Sequence, residues 1–269
     1  MNVEPLTPTI GATVHGVKLS DVANDDDLFR EIHDLWMKHL VLFFRDQALT
    51  PEQHLALGER FGPLHVHPAA PYEGNPALMK IHADADSHRN NGDMWHSDVS
   101  ADEEPPMATI LQMHVLPSAG GDTLWSNMYA VFESLSETMQ AELKQMEALH
   151  FLSYAGFYGD HEAQREAPKA VHPVVRTHPV TGRDALFVNS GFTRRIIGMS
   201  PGESSALLNM LFEQVREPIF QCRFKWKKHS VAIWDNRCTQ HYALWDYYPE
   251  TRSGLRVTVK GDRPYQGQP

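Results

Sequence analysis

Asp93-Met94-Trp95-His96-Ser97-Asp98-Val99 places an imidazole and a carboxylate two residues apart, beside a large aromatic side chain. In an extended run, residues i and i+2 face the same side. His96 and Asp98 would then present a nitrogen and an oxygen to one metal ion from one direction. With a distant histidine they would form a two-histidine, one-carboxylate set, which leaves coordination positions open for other molecules. The pair alone carries little weight. Sixteen histidines and 34 acidic residues among 269 yield about two His-x-acid pairs by chance. His82-Ala83-Asp84 is a second one. The rest of the chain has to choose between them.

Composition narrows the choice of function. Hydrophobic residues make up 42% and charged residues 22% of the chain, the balance of a soluble globular protein. The net charge of −10 argues against a nucleic-acid or anionic-membrane binder, since both need a basic face. A small anionic ligand stays open, because a local arginine cluster can act inside an acidic protein. Cys222 and Cys238 are the only cysteines, so no disulfide framework is implied and a reducing cytoplasm fits. The first eight residues lack the basic and apolar regions of a signal peptide. No apolar run approaches the 18 or so residues of a membrane span. One all-β domain over residues 1–269 is an ordinary size.

Residues 3–19 read as one or two short strands with a turn. Asp25 to His39 is helical, capped by Asp25 or Asp26, with Leu28, Ile32, Leu35 and Trp36 as its apolar stripe. Leu40 to Phe44 reads as a buried strand. Thr50-Pro51 opens a second helix that stops at Gly62-Pro63. His65 to Gly92 is rich in Pro, Gly, Asn and His, which predicts an irregular, lid-like loop. Met107–Val115 is strand-like, and Gly120-Gly121-Asp122 is a turn feeding another strand. Ser126 to Ala148 reads as helical with Ser136 capping its second half, and residues 154–170 as a mobile polar insertion. Strand-like runs follow at 171–176, 186–189, 220–226, 231–234 and 255–260, around a helix at 201–216. Short strands bounded by turns, with helices mostly in the first half, predict a mainly β core with flanking helices, a barrel or jelly roll. No glycine-rich loop joins a strand to a helix, which argues against a nucleotide-binding fold. His33, His54, His88 and His161 read as surface residues.

A second informative stretch is Trp234-Asp235-Asn236-Arg237-Cys238-Thr239-Gln240-His241-Tyr242. His241 is the natural third ligand. Arg252 and Arg256 follow, four apart on one strand and so on one side, where two guanidiniums would hold carboxylates through charge-assisted bonds. Asp235 and Asn236 read as residues that shape the turn.

Taken together, Trp95-His96-Ser97-Asp98-Val99, Gly120-Gly121-Asp122-Thr123, the 234–242 stretch and Arg252-x-x-x-Arg256 resemble the Fe(II)/2-oxoglutarate-dependent taurine dioxygenase (TauD/TfdA) family. The likeness spans nearly the whole chain. It includes Gly11-Ala12-x-x-x-Gly16, Phe44-Arg45-Asp46-Gln47, Phe61-Gly62-Pro63-Leu64-His65-Val66-His67-Pro68 and Val171-His172-Pro173 through Pro179. The resemblance implies a double-stranded β-helix, the cupin-like jelly roll. It implies His96, Asp98 and His241 as iron ligands. Thr123 and Arg252 would hold the distal carboxylate of 2-oxoglutarate, whose keto-acid end chelates iron. With O2 as the other cosubstrate, decarboxylation of 2-oxoglutarate to succinate and CO2 would accompany hydroxylation of the substrate. The protein's own part in such chemistry is positioning.

On the substrate side, His67, Val99, Ser153, Tyr154, Phe192 and Arg256 match family positions around the substrate, with His67 and Arg256 pairing a sulfonate. Tyr154 stands where taurine dioxygenase has phenylalanine. Ala70 replaces a pocket tyrosine and Gly92 an asparagine, so the resemblance implies a roomier pocket, with Tyr72 or Asn91 near enough to substitute. The implied substrate is a small organic anion. A sulfonate comes first, released as sulfite and an aldehyde, and an aryloxyalkanoate or alkyl sulfate ester is the alternative. A metal-binding jelly roll without turnover is the reading from another class, and the intact set His96, Asp98, His241, Thr123 and Arg252 speaks against it. Family analogy adds a homo-oligomer, dimer or tetramer.

Overall fold

The computed structural model describes residues 1–66, 71–88, 92–151 and 168–267. In chain order its strands begin Asn2–Pro5 (β1), Ala12–His15 (β2), Val41–Phe44 (β3), Pro71–Tyr72 (β4), Asn75–Ala83 (β5) and Ala108–Val115 (β6). Thr123–Asn127 (β7), Glu147–Phe151 (β8), Lys169–Pro173 (β9), Val175–Thr177 (β10), Asp184–Leu186 (β11) and Thr193–Ile196 (β12) follow. Gln221–Phe224 (β13), Val231–Asp235 (β14), Thr239–Ala243 (β15) and Arg252–Val259 (β16) complete them. The α-helices among the described residues are Asp26–His39 (α1), Pro51–Phe61 (α2), Met128–Glu133 (α3), Glu137–Leu143 (α4) and Pro201–Val215 (α5).

Eight strands form the large sheet in the order β1-β2-β3-β14-β6-β16-β5-β4, antiparallel throughout except between β2 and β3. Side chains on a strand alternate between faces, and the apolar runs of the central strands use both. Val41 and Phe43 enter one core, together with Ala232 and Trp234, while Leu42, Phe44, Val231 and Ile233 enter the other. The second core is closed by α1, through Ile32 and Trp36, and by α2, through Leu57. The first is closed by a smaller sheet, β13-β7-β15. Phe43 stacks on Phe224 of β13 at 4.0 Å, and Trp125 of β7 meets Trp234 of β14 edge-on at 5.6 Å. Such offset and edge-on pairs add about 0.5–1.5 kcal/mol each to their area burial. Two facing sheets with helices outside make the double-stranded β-helix, as the motifs imply.

Local signals set the helix starts. Asp25 accepts from the Leu28 amide at the head of α1. Thr50 and Gln53 form a reciprocal capping box ahead of Pro51, and Ser200 and Glu203 repeat it at α5. A cap of this kind is worth about 1 kcal/mol.

Three expectations are corrected. Within the segment expected to be irregular, Asn75–Ala83 is a nine-residue strand paired with β16. Its face is only half buried, and the pairing reaches across the chain, so its local composition conceals it. The helix expected from Ser126 to Ala148 is two short helices between strands β7 and β8, with Ser136 capping the second as read. His54 is fully buried, not a surface residue. Its Nε2 bonds the Ile110 carbonyl at 3.1 Å, and burial pushes its pKa down to about 4. Of the insertion expected at 154–170, residues 154–167 lie outside the described residues, and Lys169 begins β9.

Candidate metal centre

The site lies between the two sheets. On β15, His241 faces inward opposite Trp125 of β7, and its ring lies 4.9 Å from Trp234 of β14. Thr123 lies two residues along β7 from Trp125 and shares its inward face. From the large sheet, Arg252 and Arg256 share one face of β16, and Thr109 enters from β6.

His96 and Asp98 reach this space by a route unlike the expected strand. His96 makes a single antiparallel bridge to His241, with His96 N–H donating to His241 O at 3.1 Å and His241 N–H to His96 O at 2.8 Å. The chain then turns, and Val99 adopts a positive φ of 46°. Backbone bonding to β15 aligns the pair, and a turn aims the carboxylate.

The result is convergent. Nε2 of His96 and Nε2 of His241 each lie 3.9 Å from Asp98 Oδ1, and ligand atoms of the three residues all fall within 4.8 Å of one another. His96 Nδ1–H donates to the Met94 carbonyl at 2.8 Å, which leaves the Nε2 lone pair facing Asp98. Burial lowers the pKa of both imidazoles, and His96 pushes His241 further down, so both are free to donate to a cation. Burial alone would raise Asp98. The Arg256 guanidinium, the two neighbouring imidazoles and the Thr109 hydroxyl together outweigh it and hold the carboxyl well below the usual range. Two neutral imidazoles and one ionised carboxylate, all on one side, fit a divalent ion with open positions.

Arg252 is 3% exposed. Its Nε donates to the Gly121 carbonyl at 3.0 Å and its Nη2 to Thr123 Oγ1 at 3.4 Å. Among the described residues no carboxylate is in ion-pair contact with it; Asp122, which pairs with Arg223 at 2.7 Å, acts on it only from farther off. A buried guanidinium without a counter-ion is costly unless an anion arrives, so Arg252 with Thr123 fits a carboxylate ligand.

Arg256 reaches Asp98. Its Nη1 donates to Asp98 Oδ1 at 3.0 Å, the same oxygen that faces both imidazoles. Phe192 is buried with its ring 6.3 Å from that of His96, and Val99 is half-buried in the turn beyond Asp98. His67, Ala70, Asn91, Ser153 and Tyr154 lie outside the described residues. The rival pair is a surface contact, His82 Nε2 to Asp84 Oδ2 at 2.9 Å, each side chain about a third exposed (34%).

Gly92 is needed by the backbone, with φ at +99°, and a Cβ there would stand 3.2 Å from His96 Cε1. The space it leaves therefore borders the metal-facing edge of the imidazole. A Cβ on Gly191 would stand 2.9 Å from His96 Cβ and 3.3 Å from Met94 Sδ. Gly191→Ala is expected to push His96 out of line, weakening Mn(II) binding roughly tenfold, as misplaced supporting groups do. Overpacking should also cost about 1–3 kcal/mol of stability. Mn(II) titration alongside thermal unfolding measures both, and unchanged Mn(II) affinity would count against this packing account.

A second group, His178, Asp235 and Cys238, also brings ligand atoms within 4.8 Å. Its donors are already committed. Both Asp235 oxygens accept from Arg237. The amides of Val180 and Thr181 donate to His178 Nδ1, leaving Nε2 to donate to Asp235 at 3.0 Å. Burial raises the Cys238 thiol well above its usual range, so no thiolate is offered. This network locks the turn between β14 and β15.

Two site residues escape sequence reasoning. Asn236, read as shaping the turn, also donates to Thr109 Oγ1 at 2.9 Å, and Thr109 donates to Asp98 Oδ2 at 2.7 Å. The one signal in the sequence is a threonine inside the apolar run Met107–Val115, which needs a buried partner.

Known proteins carry the same arrangement of chain. An alpha-ketoglutarate-dependent sulfonate dioxygenase of Saccharomyces cerevisiae is 33% identical over 99% of this chain and 68% of its own. An alpha-ketoglutarate-dependent sulfate ester dioxygenase of Pseudomonas putida is 35% identical over 98% of this chain and 91% of its own. The crystal structure of a taurine dioxygenase from Burkholderia xenovorans superposes with a TM-score of 0.87 at 35% identity, covering 98% of this chain and 92% of that one. The profile described as "Taurine catabolism dioxygenase TauD, TfdA family" matches residues 2–258, and the chain belongs to that family.

Proposed function

We propose that the chain is a 2-oxoglutarate-dependent dioxygenase that hydroxylates a small organic anion, a sulfonate first. Its products would be sulfite and an aldehyde with succinate and CO2. Fe(II) would be held by His96, Asp98 and His241, and the distal carboxylate of 2-oxoglutarate by Arg252 and Thr123. The observation that carries the reading is the buried Arg252, with no carboxylate in ion-pair contact among the described residues and on the same strand face as the arginine that reaches Asp98. Iron, 2-oxoglutarate and O2 would together supply the oxidising chemistry. The chain's own residues bind, aim and exclude water. Neutral imidazoles leave lone pairs for the ion, the Asp98 carboxylate adds charge, and Arg252 fixes the distance of the diacid.

Val99, Phe192 and Arg256 border the substrate space in this reading, and His67, Ser153 and Tyr154 join them by family resemblance. Gly92 leaves room beside the His96 edge. That room, with the sulfate ester activity named for the Pseudomonas relative, favours a sulfate ester as the second substrate class, with an aryloxyalkanoate third. We place the enzyme in the cytoplasm as a homodimer or homotetramer. Its two buried free cysteines agree with a reducing compartment, and no helix among the described residues is long and apolar enough to cross a membrane.

Anaerobic addition of Fe(II) and 2-oxoglutarate is expected to give a visible charge-transfer band. A folded chain without that band would sink the dioxygenase reading. Sulfonates, sulfate esters and aryloxyalkanoates are then compared by substrate-dependent succinate, with sulfite and sulfate assayed separately. Light scattering of the eluting protein reports the oligomer.

A further inference from the structure

We infer that Thr109 and Asn236 select which oxygen of Asp98 is offered to a metal ion, acting as positioning residues behind it. The inference rests on the metal-ligand reading of Asp98 above. Thr109 Oγ1 donates to Asp98 Oδ2 at 2.7 Å. The Thr109 oxygen itself accepts from Asn236 Nδ2 at 2.9 Å. That donation occupies a hydroxyl lone pair and turns the proton toward Asp98.

The Asn236 amide has one consistent orientation. Its Oδ1 accepts from Trp234 Nε1 at 2.9 Å and from the Asp98 amide at 3.4 Å. Two N–H donors face that oxygen, so the NH2 group must face Thr109. The backbone fixes Asn236 in turn, with its N–H donating to the Met107 carbonyl at 2.8 Å and its own carbonyl accepting from Ser97 Oγ at 2.7 Å. Thr109, Asn236 and Asp98 are all buried, so water does not compete for these bonds.

The consequence is a division of labour on one carboxylate. Oδ2 is committed to Thr109. Oδ1 is left toward both imidazoles and Arg256. Asp98 is thereby set as a one-oxygen ligand, with rotation about its last bond blocked.

The test uses Mn(II) as probe on the full chain without 2-oxoglutarate, reading free Mn(II) by electron paramagnetic resonance. Thr109→Val keeps the shape and removes the hydroxyl, and is expected to weaken Mn(II) binding by roughly 10- to 100-fold, the usual cost of losing an outer-sphere partner. Thr109→Ser is expected to restore affinity to within about threefold, which a purely packing role would not predict. Asn236→Asp is expected to lose at least as much as Thr109→Val, because a carboxylate accepts the Thr109 proton instead of directing it. It carries the test on the same scale if Thr109→Val fails to fold, as judged by thermal unfolding. Wild-type chain that binds Mn(II), with a folded Thr109→Val or Asn236→Asp binding it equally well, would overturn this inference alone. Wild-type chain that binds no Mn(II) would overturn the metal reading and this inference with it.

Discussion

Asp98→Asn is expected to lower Mn(II) affinity by at least about a hundredfold, the upper end of what the loss of a mere supporting partner costs. The amide keeps the shape of the carboxylate but offers no charge to the ion. It also leaves Arg256, whose side chain is 13% exposed, without its counter-ion. Removing one partner of a buried pair costs about 3–5 kcal/mol. The metal-free chain should therefore unfold at a temperature lower by roughly 6–20 °C, using the slope of about 2–4 °C per kcal/mol for chains of this class. Two readouts separate the effects. Mn(II) titration reports the ligand, and calorimetry without metal reports the pair. Mn(II) binding at wild-type strength would show that Asp98 is not a ligand. A lowered midpoint alone would leave Asp98 as a structural partner of Arg256.

Arg252→Gln is expected to have the opposite pattern. Loss of a buried charge partner for a ligand carboxylate costs about 2–5 kcal/mol, so the dissociation constant for 2-oxoglutarate should rise by roughly thirtyfold or more. The ligand-free fold should change little, because no carboxylate among the described residues depends on Arg252. The variant gives up the bond to Gly121 O but also gives up a desolvated charge. Ligand-induced stabilisation reads this directly. At a hundred times its wild-type dissociation constant, 2-oxoglutarate with Mn(II) should stabilise the wild type by about 2.7 kcal/mol, and the same concentration should stabilise the variant by about 0.9 kcal/mol or less. Arg252→Lys should recover only part of it, since a point charge lacks the planar fork. Full stabilisation of Arg252→Gln by 2-oxoglutarate would move the carboxylate site elsewhere.

Much of this fold is written locally. Val41-Leu42-Phe43-Phe44 is apolar on both faces because it lies between two cores, and the caps at Asp25, Thr50 and Ser200 start helices where the residues themselves supply the bonds. The strand Asn75–Ala83 is hidden because its partner, β16, is supplied from more than 160 residues away and its outer face is wet. Helical propensity in Met128–Leu143 spills over its edges in the sequence, where the neighbouring strands β7 and β8 in fact begin and end. His54 is buried by the underside of the large sheet, and nothing in its own helix announces that.

The candidate site divides the same way. His96, Asp98, His241, Thr123 and Arg252 stand in motifs, so their identity is legible. What joins them is not. The bridge from His96 to His241 is a pairing across 145 residues, and the positive φ at Val99 belongs to a residue type that seldom shows it. Thr109 and Asn236 look like strand filler and turn former until the sheets bring them together. Arg256 reads as a surface for substrate, and its contact with Asp98 emerges only in three dimensions.

That bridge between His96 and His241 also governs exchange with solvent. Each of the two amides is protected by the carbonyl of the other residue, so neither can give up its hydrogen unless both segments part. On the proposed metal reading, a cation would meet two imidazoles already constrained by this backbone pairing, and little ordering entropy would remain to oppose its capture.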